Sequence, residues 1–309
     1  MFHAFSGSGP VVNRWPRRLA VMAFLLAFLL VPPAQAQDGR SFIWSVSDGG
    51  GPRLYLLGSV HMARPDLYPL PLVMEEAFAA SDSLVVELDP TEVDHLGMAQ
   101  ATLRRGLYAD GETIWRFLDP ATADLLRSCL VKSSIPKVVA ERMKPWLLAI
   151  TMSVEALNGL GYDEELGLDR HFVLEAKEAG KPIHELETAQ EQLEILFGLD
   201  EVDGLKFLRA SLLEFEALDG QMGQVFLAWR NGDHQALGRI LFSVYQENPE
   251  LAPLLDKLVT GRNLKMMERL GPLMAPGQVP FMVVGATHLL GPRGILEAFR
   301  AAGFEVRQL

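Results

Sequence analysis

The sequence predicts an α/β fold, a mixed and largely parallel sheet built from two βαβ pseudo-repeats and interrupted by large helical insertions. Two observations predict the sheet. Near each end of the chain a short β-rich run leads straight into a Gly-x-x-His tetrapeptide, Gly58-Ser59-Val60-His61 and Gly285-Ala286-Thr287-His288. Each tetrapeptide is followed by a helical segment and a further β-rich run, the dimensions of a βαβ unit. A third observation predicts the insertions: long stretches between the two units carry apolar residues at three- and four-residue spacing.

Taken in order, the chain opens with Arg14, Arg17 and Arg18 ahead of thirteen mainly apolar residues, 19–31. Pro32-Pro33 and Ala34-Gln35-Ala36 follow, the layout of a signal peptide cleaved after Ala36. The apolar run is shorter than the roughly 20 residues of a spanning helix. Residues 1–36 are therefore expected to leave the mature chain, which would be periplasmic or secreted. Residues 41–47 and 53–57 read as a hairpin across Asp48-Gly49-Gly50-Gly51-Pro52. Residues 72–80 read as a helix and 83–88 as a strand, which completes the first unit. A strand at 182–186 follows a helix at 166–179, with Gly180 placed to cap it. The second unit comprises a strand at 280–284, a helix at 295–302 and a strand at 304–309. Helices are expected at 118–130, 145–157, 189–197, 205–229, 235–245 and 254–270. The organisation is one domain, 37–309, with insertions at about 91–180 and 189–278.

The formal net charge is −11. Residues 1–36 contain three Arg and no acid, so their loss takes it to −14. Such an acidic chain is a poor ligand for nucleic acid or anionic membrane. No later segment is long and apolar enough to span a membrane. Cys129 is the only cysteine, so no internal disulfide forms. Among Leu125, Leu126 and Leu130 it reads as a small buried hydrophobe. The absence of a Gly-x-Ser-x-Gly elbow, a Gly-rich phosphate loop and a Cys-x-x-Cys pair argues against serine hydrolases, nucleotide enzymes and cysteine–zinc modules.

In parallel α/β sheets, ligands sit outside the carboxyl ends of the strands. His61 and His288 each lie just past such an end, so two equivalent strand ends can deliver two imidazoles to one pocket. Gly58 and Gly285 permit a sharp turn or a close approach there. Glu87 stands in the apolar run Val86-Glu87-Leu88, where a buried carboxylate needs a partner: a metal, an Arg or an imidazolium. Period-two alternation puts Glu185 and Glu187 on one strand face and His184 on the other. His184-Glu185-Leu186-Glu187-Thr188 lacks the second His of a zinc-protease helix and reads as a strand, which excludes that motif. His95, His171 and His234 read as structural. Arg262-Asn263 is either a solvated helix face or, beside the pocket, an anion-binding group.

These segments together resemble the TraB/GumN family, which is similar to the Tiki metalloproteases. The resemblance rests on Leu56-Leu57-Gly58-Ser59-Val60-His61 with Tyr68-Pro69-Leu70-Pro71, and on Val85-Val86-Glu87-Leu88-Asp89. It extends through Gly180-Lys181-Pro182, Leu186-Glu187-Thr188 and Gln192 to Arg262-Asn263 and Val284-Gly285-Ala286-Thr287-His288-Leu289. It implies a metal-dependent hydrolase, most simply a peptidase, using a divalent ion such as manganese, cobalt or zinc. Carried over residue by residue, it implies His61, His288, Glu187 and Glu87 as metal-site residues. Glu87, His61, Arg262 and Asn263 are the implied catalytic group. One Glu would be ligand and the other base, with Glu187 the favoured ligand and Glu185 an alternative to it. The expected partner is a peptide or other small exported substrate. Two other functions fit the residues. One is a metal-independent esterase-like hydrolase in which a His oriented by Glu87 activates water. The other is an exported protein that sequesters a peptide without cleaving it.

Overall fold

The computed structural model describes residues 39–309, the side chains at 217 and 219 apart, so the expected leader and its cleavage point lie outside the described residues. The strands are β1 (Ile43–Ser47), β2 (Pro52–Ser59), β3 (Ser83–Val86), β4 (Ile183–Glu185), β5 (Pro280–Gly285) and β6 (Glu305–Gln308). They form one sheet in the order β4-β3-β5-β2-β1-β6. β1 and β2 make the expected antiparallel hairpin, turning through Gly49 and Gly51 at φ 92° and 118°. β2, β5, β3 and β4 are mutually parallel, and β6 returns antiparallel to β1.

The two βαβ units are interleaved rather than side by side. β5 of the second unit inserts between β2 and β3 of the first, and β2 with β1 separates β5 from β6. Burial explains the choice. All six residues of β5 are buried, so it takes the centre, where both faces are covered. The half-polar β4 and β6 take the edges, where exposure costs little. Interleaving brings β2 and β5 into direct parallel register, with Gly58 opposite Val284 and Ser59 opposite Gly285. Both Gly-x-x-His segments therefore leave the same edge of the sheet, one residue out of step.

In chain order the helices of the first half are α1 (Leu72–Ala79), α2 (His95–Gly106), α3 (Pro120–Lys132), α4 (Lys137–Ala140), α5 (Pro145–Gly159) and α6 (Leu168–Ala179). The second half adds α7 (Ala189–Phe197), α8 (Glu201–Arg230), α9 (His234–Glu247), α10 (Ala252–Leu255), α11 (Gly261–Leu270), α12 (Ala286–Leu289) and α13 (Ile295–Ala301). Local chemistry sets several ends. Gly180 closes α6 in the left-handed region at φ 66°, and a reciprocal Thr188–Glu191 box opens α7. The helix expected over 254–270 runs through that segment but contains a π-helical turn, Asp256–Thr260, ending two residues before Arg262. A π turn widens the helix and re-aims the side chains after it.

Two main apolar cores result. The sheet core gathers strand residues with Phe78 of α1 and Phe172 of α6, whose rings interlock with Phe281 of β5. The second core belongs to the helical insertions, where Leu126 and Cys129 of α3, Leu148 and Met152 of α5 and Leu208 and Leu212 of α8 are buried together. Cys129 is a fully buried hydrophobe in that core, and burial pushes its thiol up to about 12. No helix of the described residues is long and apolar enough to cross a membrane.

Candidate active site

The site lies at the carboxyl edge of β2, β5 and β3, where the interleaved topology brings four segments together. Gly285 marks its centre. Its backbone is ordinary (φ −50°, ψ 135°), so the glycine is required by space rather than by conformation. A Cβ at this position would stand 3.1 Å from His61 Nε2, 3.3 Å from Glu87 Oε1 and 3.7 Å from His288 Cδ2. The three side chains thus converge on the volume that the missing methyl leaves open. Gly58 has a different reason: its Cβ would strike the Phe42 ring at 2.5 Å, inside the core.

His61 follows β2, and its Nδ1 lies 2.9 Å from Asp169 Oδ2 at the start of α6. Ser59 Oγ donates to the other oxygen of Asp169 at 3.0 Å. A carboxylate partner keeps the proton on Nδ1 and aims Nε2 into the pocket. The imidazole is 62% exposed there. The Asp169 carboxylate raises its pKa to about 9, against the opposing effect of burial.

His288 sits in α12, the single helical turn that follows β5, and is buried. Its Nδ1 is 2.6 Å from Asn263 Oδ1. The Asn263 amide nitrogen donates to the carbonyls of His288 and Arg293, so its oxygen must be the acceptor. His288 therefore carries its proton on Nδ1 and presents a lone pair at Nε2, 3.8 Å from Glu87 Oε1. Burial pushes the ring down to about 4, which keeps it neutral at pH 7.

Glu87 lies just past β3 and is buried. Its two oxygens have different partners. Oε1 accepts the Gly285 N–H at 2.7 Å, and Oε2 accepts Arg262 Nη2 at 2.5 Å. Burial acts to raise this carboxyl, but His288, His61, Arg262 and the Gly285 amide outweigh it and bring the pKa to about 2. The buried acid that the sequence left with three possible partners is held by arginine.

Glu187 is also buried, and Arg262 forks onto both its oxygens, with Nε at 2.9 Å and Nη2 at 2.6 Å. Gln192 donates a further bond to Oε2 at 3.1 Å. Glu185 and Glu187 do not share a face as alternation required. β4 ends at Glu185, the chain bends, and Leu186 and Glu187 are both buried while Glu185 is exposed. Glu185 instead accepts the Asp89 N–H, and with His184 it lines a cleft along the β4 edge that reaches the far side of Glu187 and Arg262. His171 packs against Tyr68 and Phe172, and His234 against Trp44.

Sequence reasoning missed Asp169. The only signal was an acid in the first turn of a predicted helix, and the fold alone brings that helix start under His61. The roles of Arg262 and Asn263 are also clearer here. All three nitrogens of Arg262 have acceptors, the third being the Leu258 carbonyl, so it positions Glu87 and Glu187. Asn263 positions His288.

Among the described residues, no three His, Cys, Asp or Glu side chains stand ready in a metal-holding arrangement. Glu187, the expected ligand, has both oxygens on Arg262. The donor chemistry at Gly285 does suit a divalent ion. Two imidazoles have Nδ1 fixed by acceptors and Nε2 open, the usual outer support of metal-bound histidine. Glu87 Oε1 lies beside them. His61 Nε2 and His288 Cδ2 lie no more than about 7 Å apart across the Gly285 space, and metal–nitrogen bonds of about 2 Å need the two Nε2 atoms within about 4 Å of each other. The exposed His61 ring has room to move.

A model of the TraB/PrgY/gumN family matches residues 42–308, and the chain belongs to that family. It is 25% identical over 272 residues to the uncharacterized protein YbaP of Escherichia coli, covering 86% of this chain and 96% of that one. It is 25% identical over 327 residues to Metalloprotease TIKI2 of Danio rerio, covering 89% of this chain and 62% of the fish protein. No solved structure matches.

Proposed function

We propose that this member of the TraB/PrgY/gumN family is an exported, divalent-metal-dependent peptidase whose ion is held by His61, His288 and Glu87. The observation that carries the reading is the convergence of two imidazoles and one carboxylate on the space left open at Gly285. The distant similarity to a protein named as a metalloprotease supports it. When bound, such an ion acidifies a water and polarises the scissile carbonyl. The chain's own residues do the rest. Asp169 and Asn263 fix the two rings so that Nε2 of each faces the pocket. Arg262 holds Glu87 by one oxygen and leaves the other directed at the reacting space. Leu88, Leu196 and Leu258 line the cleft on the Glu87 side.

A second reading keeps the pocket and drops the ion, with His61 held by Asp169 activating water directly. The same carboxylate raises the ring to about 9, so little neutral imidazole exists at pH 7 and this activity would climb toward pH 9. Chelator-stripped protein titrated with manganese, cobalt or zinc, and assayed on a mixed peptide pool, separates the readings. Hydrolysis restored by metal, and lost in His288→Ala, is expected. Hydrolysis indifferent to metal selects the second reading. Peptide binding without turnover under every condition would leave a sequestering protein and overturn both.

A further inference from the structure

A cavity of about 570 Å³ opens from the His61 side of the site and runs between the sheet edge and the helical lobe. Its lining includes His61, Gly285 and His288. Its walls are mainly apolar, with Leu157 of α5, Phe215 and Met222 of α8, Leu241 of α9 and Val259 of the π turn. One carboxylate, Glu214 of α8, also lines it, as does Arg262, whose charge is taken up by Glu87 and Glu187. Glu214 is exposed, and desolvation by the protein around it raises its carboxyl to about 7. Both fit a side chain on the wall of an open cavity whose other lining is mainly apolar. Among the described residues it has no hydrogen-bond or ion-pair partner, and no neighbouring charge acts on its titration. The contrast with Glu87 and Glu187 is sharp, since arginine holds both of those.

An exposed carboxylate without a partner, set beside mainly apolar walls, is free to pair with a cation that a ligand brings. The complementary ligand has a hydrocarbon stem for the walls and a positive head for Glu214. Lysine and arginine side chains have that form, burying their methylenes while the head seeks a charge.

We propose that this cavity is the specificity pocket of the enzyme and that Glu214 selects a basic side chain, lysine or arginine, beside the scissile bond. The proposal rests on the hydrolytic reading of the site but is tested without turnover. The probes are hexylamine and hexan-1-ol, equal in stem length and different in charge, titrated into the full chain by ligand-observed NMR at pH 8. Hexylamine is expected to bind at least tenfold more tightly. Glu214→Gln, which keeps size and removes charge, should abolish that preference, and Glu214→Leu should reverse it. Unchanged thermal unfolding of the Gln variant confirms that the fold persists. Equal binding of both probes by the wild type, or an amine preference that survives in Glu214→Gln, overturns the proposal. A second arm uses peptides differing only in lysine against norleucine. Amine-selective binding with no cleavage of any peptide sinks the hydrolase reading and leaves the cationic pocket standing. Cleavage with lysine and norleucine equally good sinks the pocket and leaves the hydrolase.

Discussion

Gly285→Ala isolates the space at the centre of the site from the stability of the fold. The backbone at 285 suits alanine, and the lost chain entropy of glycine favours the variant by about 0.4–1 kcal/mol. The new methyl meets His61 Nε2 at 3.1 Å and Glu87 Oε1 at 3.3 Å, so each must retreat by a few tenths of an ångström. His61 is exposed and can swing away, whereas Glu87 is tethered by Arg262 and by the Gly285 amide itself. The contact cost and the entropy gain are of similar size, so the melting temperature should move by only about 3 °C or less. Chemistry should suffer more, by up to about 10-fold, because displacements of a few tenths of an ångström at reacting groups cost a fraction of the roughly 100-fold lost at 1 Å. Gly58→Ala is the matched control. Its Cβ would overlap the fully buried Phe42 ring at 2.5 Å and press on Leu289 at 3.2 Å, an overpacking worth about 1–3 kcal/mol. That variant should melt several degrees lower and keep its activity per folded molecule. The assays are thermal unfolding by circular dichroism, metal affinity by calorimetry and kcat/KM on a peptide. Wild-type metal affinity and turnover in Gly285→Ala would refute the argument that the three side chains share this space in function.

Glu87→Gln should weaken metal binding and turnover at least tenfold, whereas Glu187→Gln should cost stability, up to about 3 kcal/mol, with metal affinity largely kept; urea unfolding and calorimetry distinguish them, and the reverse pattern would make Glu187 the ligand. Asp169→Asn removes the charge that raises His61, so the ring of the unliganded chain should titrate well below 9, which NMR of the imidazole protons checks directly. Stability of the metal-free chain should fall on both sides of neutrality. On the acid side, His288 is depressed to about 4 and loses stability for the fold from pH 6.5 downward, and Glu87, depressed to about 2, adds its loss below pH 4.5. On the alkaline side, the raised His61 contributes below pH 6.5 and that contribution is lost as pH rises through 9; a urea series from pH 3 to 10 that is flat would contradict all three. The exported protein should begin at Gln37, and an intact Met1 in a membrane fraction would contradict the leader reading.

The class of fold was legible because strands and helices differ in period, and because glycine marked two strand ends. The order of the strands was not legible. Nothing local in Pro280–Gly285 says that it inserts between β2 and β3, since a strand buried on both faces differs from a half-buried one only by its lack of polar positions. That absence was in the sequence, and it is what sends β5 to the centre. Histidines at the two strand ends were visible for the same topological reason. Asp169 was not, because it lies on a helix face that looks solvated until a distant segment packs over it, and Glu214 was not, because only the fold sets its helix beside the site. The π turn before Arg262 was also hidden, since its residues fit a regular helix as well as a widened one.

The difference between Glu87 and Glu187 is the step on which the chemical reading turns, and residue type alone could not make it. Both are buried, both follow neighbouring parallel strands, and both touch the same guanidinium. Arginine offers a planar fork, and a fork satisfies one carboxylate completely before it reaches a second. Here the fork closes on Glu187, with Nε and Nη2 on its two oxygens, and only the shared Nη2 extends to Glu87. Glu187 thereby fixes the plane of Arg262, and Arg262 fixes one oxygen of Glu87. The other oxygen of Glu87 meets a backbone amide, a single donor that leaves a lone pair directed toward His288. Two identical side chains are thus divided between structure and chemistry by the geometry of one arginine, whose direction is set by the π turn beneath it.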